Sequence, residues 1–159
     1  MSMQGKDRNI YRIARRNAGY TQEKAAELLD TSVESIRAWE NDLRFPPDEI
    51  VERMKTAYDA PELGPQHLRA STTLAGDIIP AFRPGLPFGQ TVCRLYRLLN
   101  DFVIDQDHDM ELMRIAEDGI IDEGQMEPYT EIMDVLLVGI VQAALEVKYS
   151  DKTGYPDGE

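Results

Sequence analysis

The chain has 159 residues, 42% of them hydrophobic, and carries 17 Lys/Arg against 29 Asp/Glu for a formal net charge of -12. That length holds one ordinary domain or a small domain with an accessory one. No apolar run is long enough to span a bilayer, residues 1–9 lack the apolar core of a signal peptide, and the single cysteine, Cys93, permits neither an intrachain disulfide nor a cysteine metal cluster. The expected address is cytoplasmic, with Cys93 as an ordinary buried or half-buried residue.

In chain order, the amphipathic stretch from Ile10 to Ala18 predicts a first helix. Thr21 is an N-cap candidate, Glu23 and Lys24 suit a first turn, and Ala25, Leu28 and Leu29 recur at helical spacing. Asp30 and Thr31 interrupt this pattern. Ser32 then offers a second N-cap with Ser35 three residues on, and Val33, Ile36 and Trp39 follow the helical period. Two helices this short need a scaffold, which Ile10 to Ala18 and the Ile50 to Tyr58 segment after Pro46 and Pro47 can supply. Two such helices joined by a tight turn fit the major groove of DNA.

Pro61 to Pro87 mixes Pro, Gly, Ser and Thr and reads as a connector with a short helix around Pro65 to Ala70. It is too apolar at Leu74, Ile78, Ile79 and Phe82 to be a free linker. Beyond Pro87, Val92, Leu95, Leu99, Phe102 and Val103 form one stripe in a helical pattern that continues to about Ala116, and Asp118 and Gly119 break it. A final helix is expected from about Pro128 to Tyr149, with Ile132, Met133, Leu136, Ile140, Ala143, Ala144 and Val147 on one face. Val135, Val138, Val141 and Leu145 widen that face beyond a single stripe, so the helix must be buried on more than one side. An antiparallel hairpin that self-associates with a second subunit satisfies this demand.

Charge divides the chain as sharply as pattern does. Residues 1–58 hold ten Lys/Arg and ten Asp/Glu, and the remainder holds seven and nineteen. The neutral part can meet a phosphate backbone, whereas the acidic part should face away from it. The expected organisation is all-α. A helix-turn-helix domain covers 1–60, a partly packed connector 61–86, a helical hairpin for dimerisation 87–150, and a disordered tail 151–159.

Arg15 and Gly19, the Thr21-Gln22 pair, Ala25-Ala26 and the run Ser35, Ile36, Trp39, Glu40, Asn41 together resemble the lambda-repressor-like, Cro-type (XRE) helix-turn-helix family. The resemblance spans about Asn9 to Ala60. Two positions depart from it, because Asp30 and Asp42 stand where the family has glycine. Asp tolerates a left-handed backbone, but Asp42 adds a negative charge near a phosphate. The resemblance implies that Val33, Glu34 and Arg37, with Ala38 next to them, face the groove while Ile36 and Trp39 face the core. Arg37 can donate two bonds to guanine, Glu34 can accept from a cytosine amino group and Val33 can pack on a thymine methyl. Glu34 and Arg37, three apart, can alternatively pair with each other. Thr21, Gln22, Ser32, Asn41 and Arg44 would hold phosphates, although Arg44 can equally be a plain surface charge. The family also pairs an arginine of the first helix with the glutamate ending the recognition helix, which implies a structural bridge between Arg15 and Glu40. Arg94 to Asp101 and Ala116 to Asp122 are similar, more weakly, to the helical tails of phage-like regulators of Gram-positive bacteria.

No other constellation carries chemistry. Asp105 to Glu111 offers one His among carboxylates without a second ligand cluster, and a calcium loop around Gly119 fails because Arg114 and Gln125 stand at ligand positions. Ala75-Gly76 is like the self-cleavage site of related repressors, but only Ser150 follows it as a serine. No catalytic residue, cofactor or metal is therefore expected, and the chain is not expected to be an enzyme. The expected partners are double-stranded DNA and a second copy of the chain, with no membrane. The function expected is a dimeric repressor of phage or mobile-element type. The alternative is an antitoxin-like adaptor whose acidic C-terminal half binds a basic partner protein.

Overall fold

Short polar side chains start the first helices. Asn9, Thr21 and Ser32 each accept a hydrogen bond from the backbone N–H three residues on, at 3.0, 3.1 and 3.1 Å, and thereby cap α1 (Ile10–Asn17), α2 (Gln22–Leu28) and α3 (Val33–Glu40). The fourth helix, α4 (Asp48–Ala57), follows Pro47, with Asp48 and Glu49 in its first turn. All four stop in the same way. Gly19, Asp30, Asp42 and Asp59 take positive φ values of 76°, 51°, 57° and 50° just past the helix ends. After α2, Asp30 N–H donates to the Glu27 carbonyl at 3.3 Å and Thr31 N–H to that of Ala26 at 3.0 Å, and the same pair of reversed bonds closes α1, α3 and α4. Three aspartates thus occupy a position that usually selects glycine.

The computed structural model describes residues 9–105, 107–117 and 119–152, and among these no strand occurs: the fold is all-α, a helix-turn-helix followed by further helices. Residues 1–8 of the expected DNA-binding domain, Asp118 of the expected break and the tail from 153 onward lie outside the described residues. Packing divides the chain between Ala75 and Gly76 into two units.

The first unit closes around Ala25, Leu29, Ile36, Trp39, Val51, Met54 and Leu63. Leu63 belongs to α5 (Leu63–Ser71), the short helix read around Pro65 to Ala70, with Pro65 harmless in its first turn. A polar link, buried at Tyr11 and His67 and exposed at Asp48, seats α5 on α1 and α4. The Tyr11 hydroxyl lies 2.7 Å from Nδ1 of His67, and Nε2 of His67 lies 3.0 Å from Asp48 Oδ1. Burial, helped by the Asp42 charge, pushes the Tyr11 hydroxyl up, so it stays protonated. The packing break therefore falls after α5, beyond the charge break near Ala60.

In the second unit, α6 (Phe88–Asn100) pairs with α9 (Val141–Lys148), and α7 (His108–Ile115) pairs with α8 (Glu123–Asp134). Two wider turns, Asp101–Asp105 and Val135–Ile140, continue α6 and α8. The arms are antiparallel. Their open end is pinned by backbone bonds, Gly85 N–H to the Tyr149 carbonyl at 2.8 Å and Asp151 N–H to that of Leu86 at 2.9 Å.

The structure corrects three details of this half. The pattern read as continuous to Ala116 is interrupted at Asp107, which adopts φ 48° before α7. The last arm begins at Glu123, ahead of Pro128, because Asp122 and Gln125 form a reciprocal capping box with bonds of 3.0 and 3.1 Å. The stripe on α6 is also split. Thr91, Arg94, Leu95, Leu98 and Phe102 are buried or half-buried, whereas Val92, Leu99, Val103 and Cys93 are exposed. The cause is Glu146, wholly buried on α9, which takes an ion pair from Arg94 and hydrogen bonds at 3.4 Å from Arg83 N–H and Gln142 Nε2. A buried carboxylate must be paired, and that demand turns the Arg94 face inward.

Candidate nucleic-acid interface

The exposed face of α3 is tied to the core of its unit through a chain of side chains. Glu40, ending α3 and 2% exposed, accepts from Arg15 Nε at 2.6 Å, Arg15 Nη2 at 3.0 Å and Gln22 Nε2 at 2.9 Å. Burial alone would raise this carboxyl, but the hydrogen bonds from Arg15 and Gln22 and the guanidinium charges of Arg15 and Arg12 outweigh it. Glu40 is held below the usual carboxylate range. From Glu40 the chain runs outward. Gln22 turns its Oε1 to accept from Arg37 Nε at 3.3 Å, and Arg37 also lies 3.9 Å from Glu23. Arg37, about half exposed, is thus aimed from the core through an amide whose two ends bind different partners.

Glu34 lies exposed at the start of α3 and makes no pair with Arg37 among the described residues; Arg37 engages α2 instead. Val33 is half-buried against the core, so only part of its side chain is left to face a ligand. Thr21 and Ser32 are exposed, and their oxygens are occupied as N-caps. Asn41 donates to the Arg37 carbonyl at 2.8 Å and accepts from Arg12 Nη2 at 3.0 Å, so both ends of its amide are engaged. Arg44 donates to Ser35 Oγ at 2.8 Å, and its guanidinium sits 5.9 Å from the Trp39 ring centre. Gln22, Arg37, Glu40 and Arg15 therefore form one contiguous group. Asn41 joins this group through Arg12, whose Nε lies 3.6 Å from Glu40 Oε2, and Arg44 forms a second group with Ser35 and Trp39.

Two contributors were missed from the sequence. Asn9 caps α1 with its oxygen while its Nδ2 donates to the Trp39 carbonyl at 2.8 Å and to Asp42 Oδ1 at 2.7 Å, which fastens the start of α1 to the end of α3. An Asn before an apolar-periodic segment was a readable cap signal; its second role was not. Arg12 Nη2 reaches the Glu40 carbonyl at 2.6 Å, from the same face of α1 as Arg15.

Residues 12–68 match the helix-turn-helix domain family, a stretch that ends within α5. No curated protein matches the chain, and no solved structure matches it. Among the described residues no helix is long and apolar enough to cross a membrane, and no group of three or more His, Cys, Asp or Glu is arranged to hold a metal.

Proposed function

We propose that this chain is a sequence-specific, double-stranded DNA-binding transcription regulator of the XRE type that acts as a homodimer. The observation that carries the reading is the aimed Arg37 on the exposed face of α3, within a helix-turn-helix. A guanidinium held by its Nε can turn its Nη donors to guanine in the major groove, the commonest specific contact there, and the 3.9 Å approach of Nη2 to the exposed Glu23 is loose enough to yield to a base. Glu34 lies beside it for a cytosine amino group, and the exposed edge of Val33 can touch a thymine methyl. Thr21, Gln22, Ser32, Asn41 and Arg44 flank this face and supply hydroxyl, amide and guanidinium donors for phosphates, with Gln22 doubling as the support for Arg37. Repression, and an origin in phage or mobile elements, rest on the resemblance alone.

Dimerisation draws support from the second unit. Among the described residues it buries only Ile115, Ile132 and Ala143 as apolar side chains, too little for a hairpin to stand alone. Phe88, Val92, Tyr96, Leu99 and Val103 meanwhile form an exposed stripe on one helical face, and no Asp or Glu occurs from Phe88 to Asn100. Two such stripes can pack without charge repulsion. Site selection from random duplex DNA tests the whole reading. The expected product has two half-sites about one helical turn, or a multiple of it, apart. Failure to enrich any sequence at low salt overturns the regulator, and a monomeric full chain in sedimentation at micromolar concentration overturns the dimer.

A further inference from the structure

The second unit has another apolar surface, of different character from the α6 stripe. A groove of about 870 Å³ opens between α7 and α8, walled by Met110, Met113, Ala116 and Pro128 and floored by the buried Ile132. A second hollow of about 780 Å³ shares Glu131 with it and continues past Val135 and Val138. Met110 and Met113 are 64% and 70% exposed, an unusual place for two thioethers on one helix. Unbranched and polarizable, methionines mould themselves to a bound apolar side chain.

Carboxylates ring this surface. Asp107, Glu111, Glu117, Glu127, Glu131 and Asp134 line the two hollows, and the one arginine there, Arg114, is already paired with Glu111. His108 also lines the wall, and its Nε2 is buried without a hydrogen-bond partner among the described residues. An apolar floor with an acidic rim rejects duplex DNA, and it rejects a second copy of itself, which would bring the same carboxylates face to face. It complements a chain with apolar residues on one side and Lys or Arg on the flanks.

We propose that the α7–α8 groove is a docking site for a basic amphipathic helix of a partner protein. From Pro128 to Gly139 the floor is roughly 18 Å long at 1.5 Å per residue, which admits about three turns of a guest helix. Its anchors would recur at helical spacing, entering between Met110, Met113 and Ile132, while its cations meet Glu117, Glu127, Glu131 and Asp134. The site is independent of the DNA-binding reading and gives the acidic half of the chain a task that DNA cannot.

The probe is a synthetic Leu/Lys peptide of about four helical turns, added to the full chain carrying ¹³C-methyl methionine. The methyl signals of Met110 and Met113 are expected to shift on titration and that of Met54, buried in the first unit, to stay. A shuffled peptide of the same composition, lacking an apolar face, should bind about tenfold more weakly. Met113→Asp and Glu131→Lys should each weaken the amphipathic peptide by about tenfold, and Asp77→Lys, the same charge change outside the groove, by less than about twofold. Equal binding of the shuffled peptide, equal effects of Asp77→Lys and Glu131→Lys, or unmoved Met110 and Met113 signals would each overturn the proposal. The shift map needs no variant, so it decides the matter even where a substitution unfolds the hairpin.

Discussion

Glu40→Ala is the sharpest perturbation of the first unit. The side chain removed is 2% exposed and accepts two bonds from Arg15, itself 9% exposed at its side chain, and one from Gln22. Gln22 can turn to water, but the Arg15 guanidinium is left buried with Nε and Nη2 unpaired. Breaking such a pair from one side costs about 3–5 kcal/mol. A unit ending at Ala75 has a total stability on the order of 4–11 kcal/mol, so the variant should lose about a quarter of it or more and populate the unfolded state. Trp39 is the only tryptophan and is 4% exposed in this core, which makes its fluorescence in urea the direct assay. Pairing Glu40→Leu with Arg15→Leu removes both charges, so the double variant should be more stable than the sum of the single losses requires by about 2 kcal/mol or more. Recovery stays incomplete, because the Tyr20 carbonyl loses its Arg15 donor. A loss under about 1 kcal/mol for Glu40→Ala, or strict additivity in the double variant, would refute the claim that this pair is desolvated.

The same carboxylate makes stability depend on pH. Because Glu40 sits below its ordinary value of 4.5 in the fold, it contributes stability that is fully present above that value and lost as pH falls through the folded one. The Trp39 urea midpoint of the parent should therefore fall more steeply in acid than that of Glu40→Gln, and parallel curves would exclude Glu40 as the source. Asp30→Gly relieves a left-handed aspartate at a helix end and should gain about 0.5 kcal/mol, whereas Asp42→Gly also forfeits the Asn9 bond and should lose about 1 kcal/mol. Thermal melts giving both the same sign would contradict this. Arg37→Ala should leave stability within about 0.5 kcal/mol, since its contacts are exposed, yet cost about 1–3 kcal/mol on the selected duplex with preference relaxed at one base position. Equal losses on selected and scrambled duplexes would make it a phosphate contact. Gln22→Ala should mimic part of that loss and be non-additive with Arg37→Ala.

What the sequence disclosed was local. Thr21 and Ser32 announce helix starts because an N-cap needs only a hydroxyl and the N–H three residues on, and both are found capping. Asp30 and Asp42 could be accepted in place of glycine for an equally local reason, since a single residue's backbone decides it. The bridge between Arg15 and Glu40 came from the resemblance, because no periodicity links residues twenty-five apart. Where nothing local or familial spoke, the reading failed. Asn9 reaches across thirty residues to Trp39, and Tyr11 across fifty-six to His67. Neither could be inferred until α1, α3 and α5 had been brought together.

The second unit shows a different limit. Hydrophobic period gives the apolar side of a helix but not its exact rotation, and the apolar side of α6, from Leu98 round to Tyr96, is broad enough to leave that rotation open. Which side turned inward was decided by Glu146, the buried carboxylate of α9, and by Arg94, the α6 cation that pairs with it. The apolar residues that lost this contest, Val92, Leu99 and Val103, are left on the outside. A polar pair therefore left outside the stripe that the proposed dimer would bury. Replacing the pair with aliphatic residues would free α6 to rotate and bury the stripe, so the charges act here through where they leave the apolar surface more than through any stability they add.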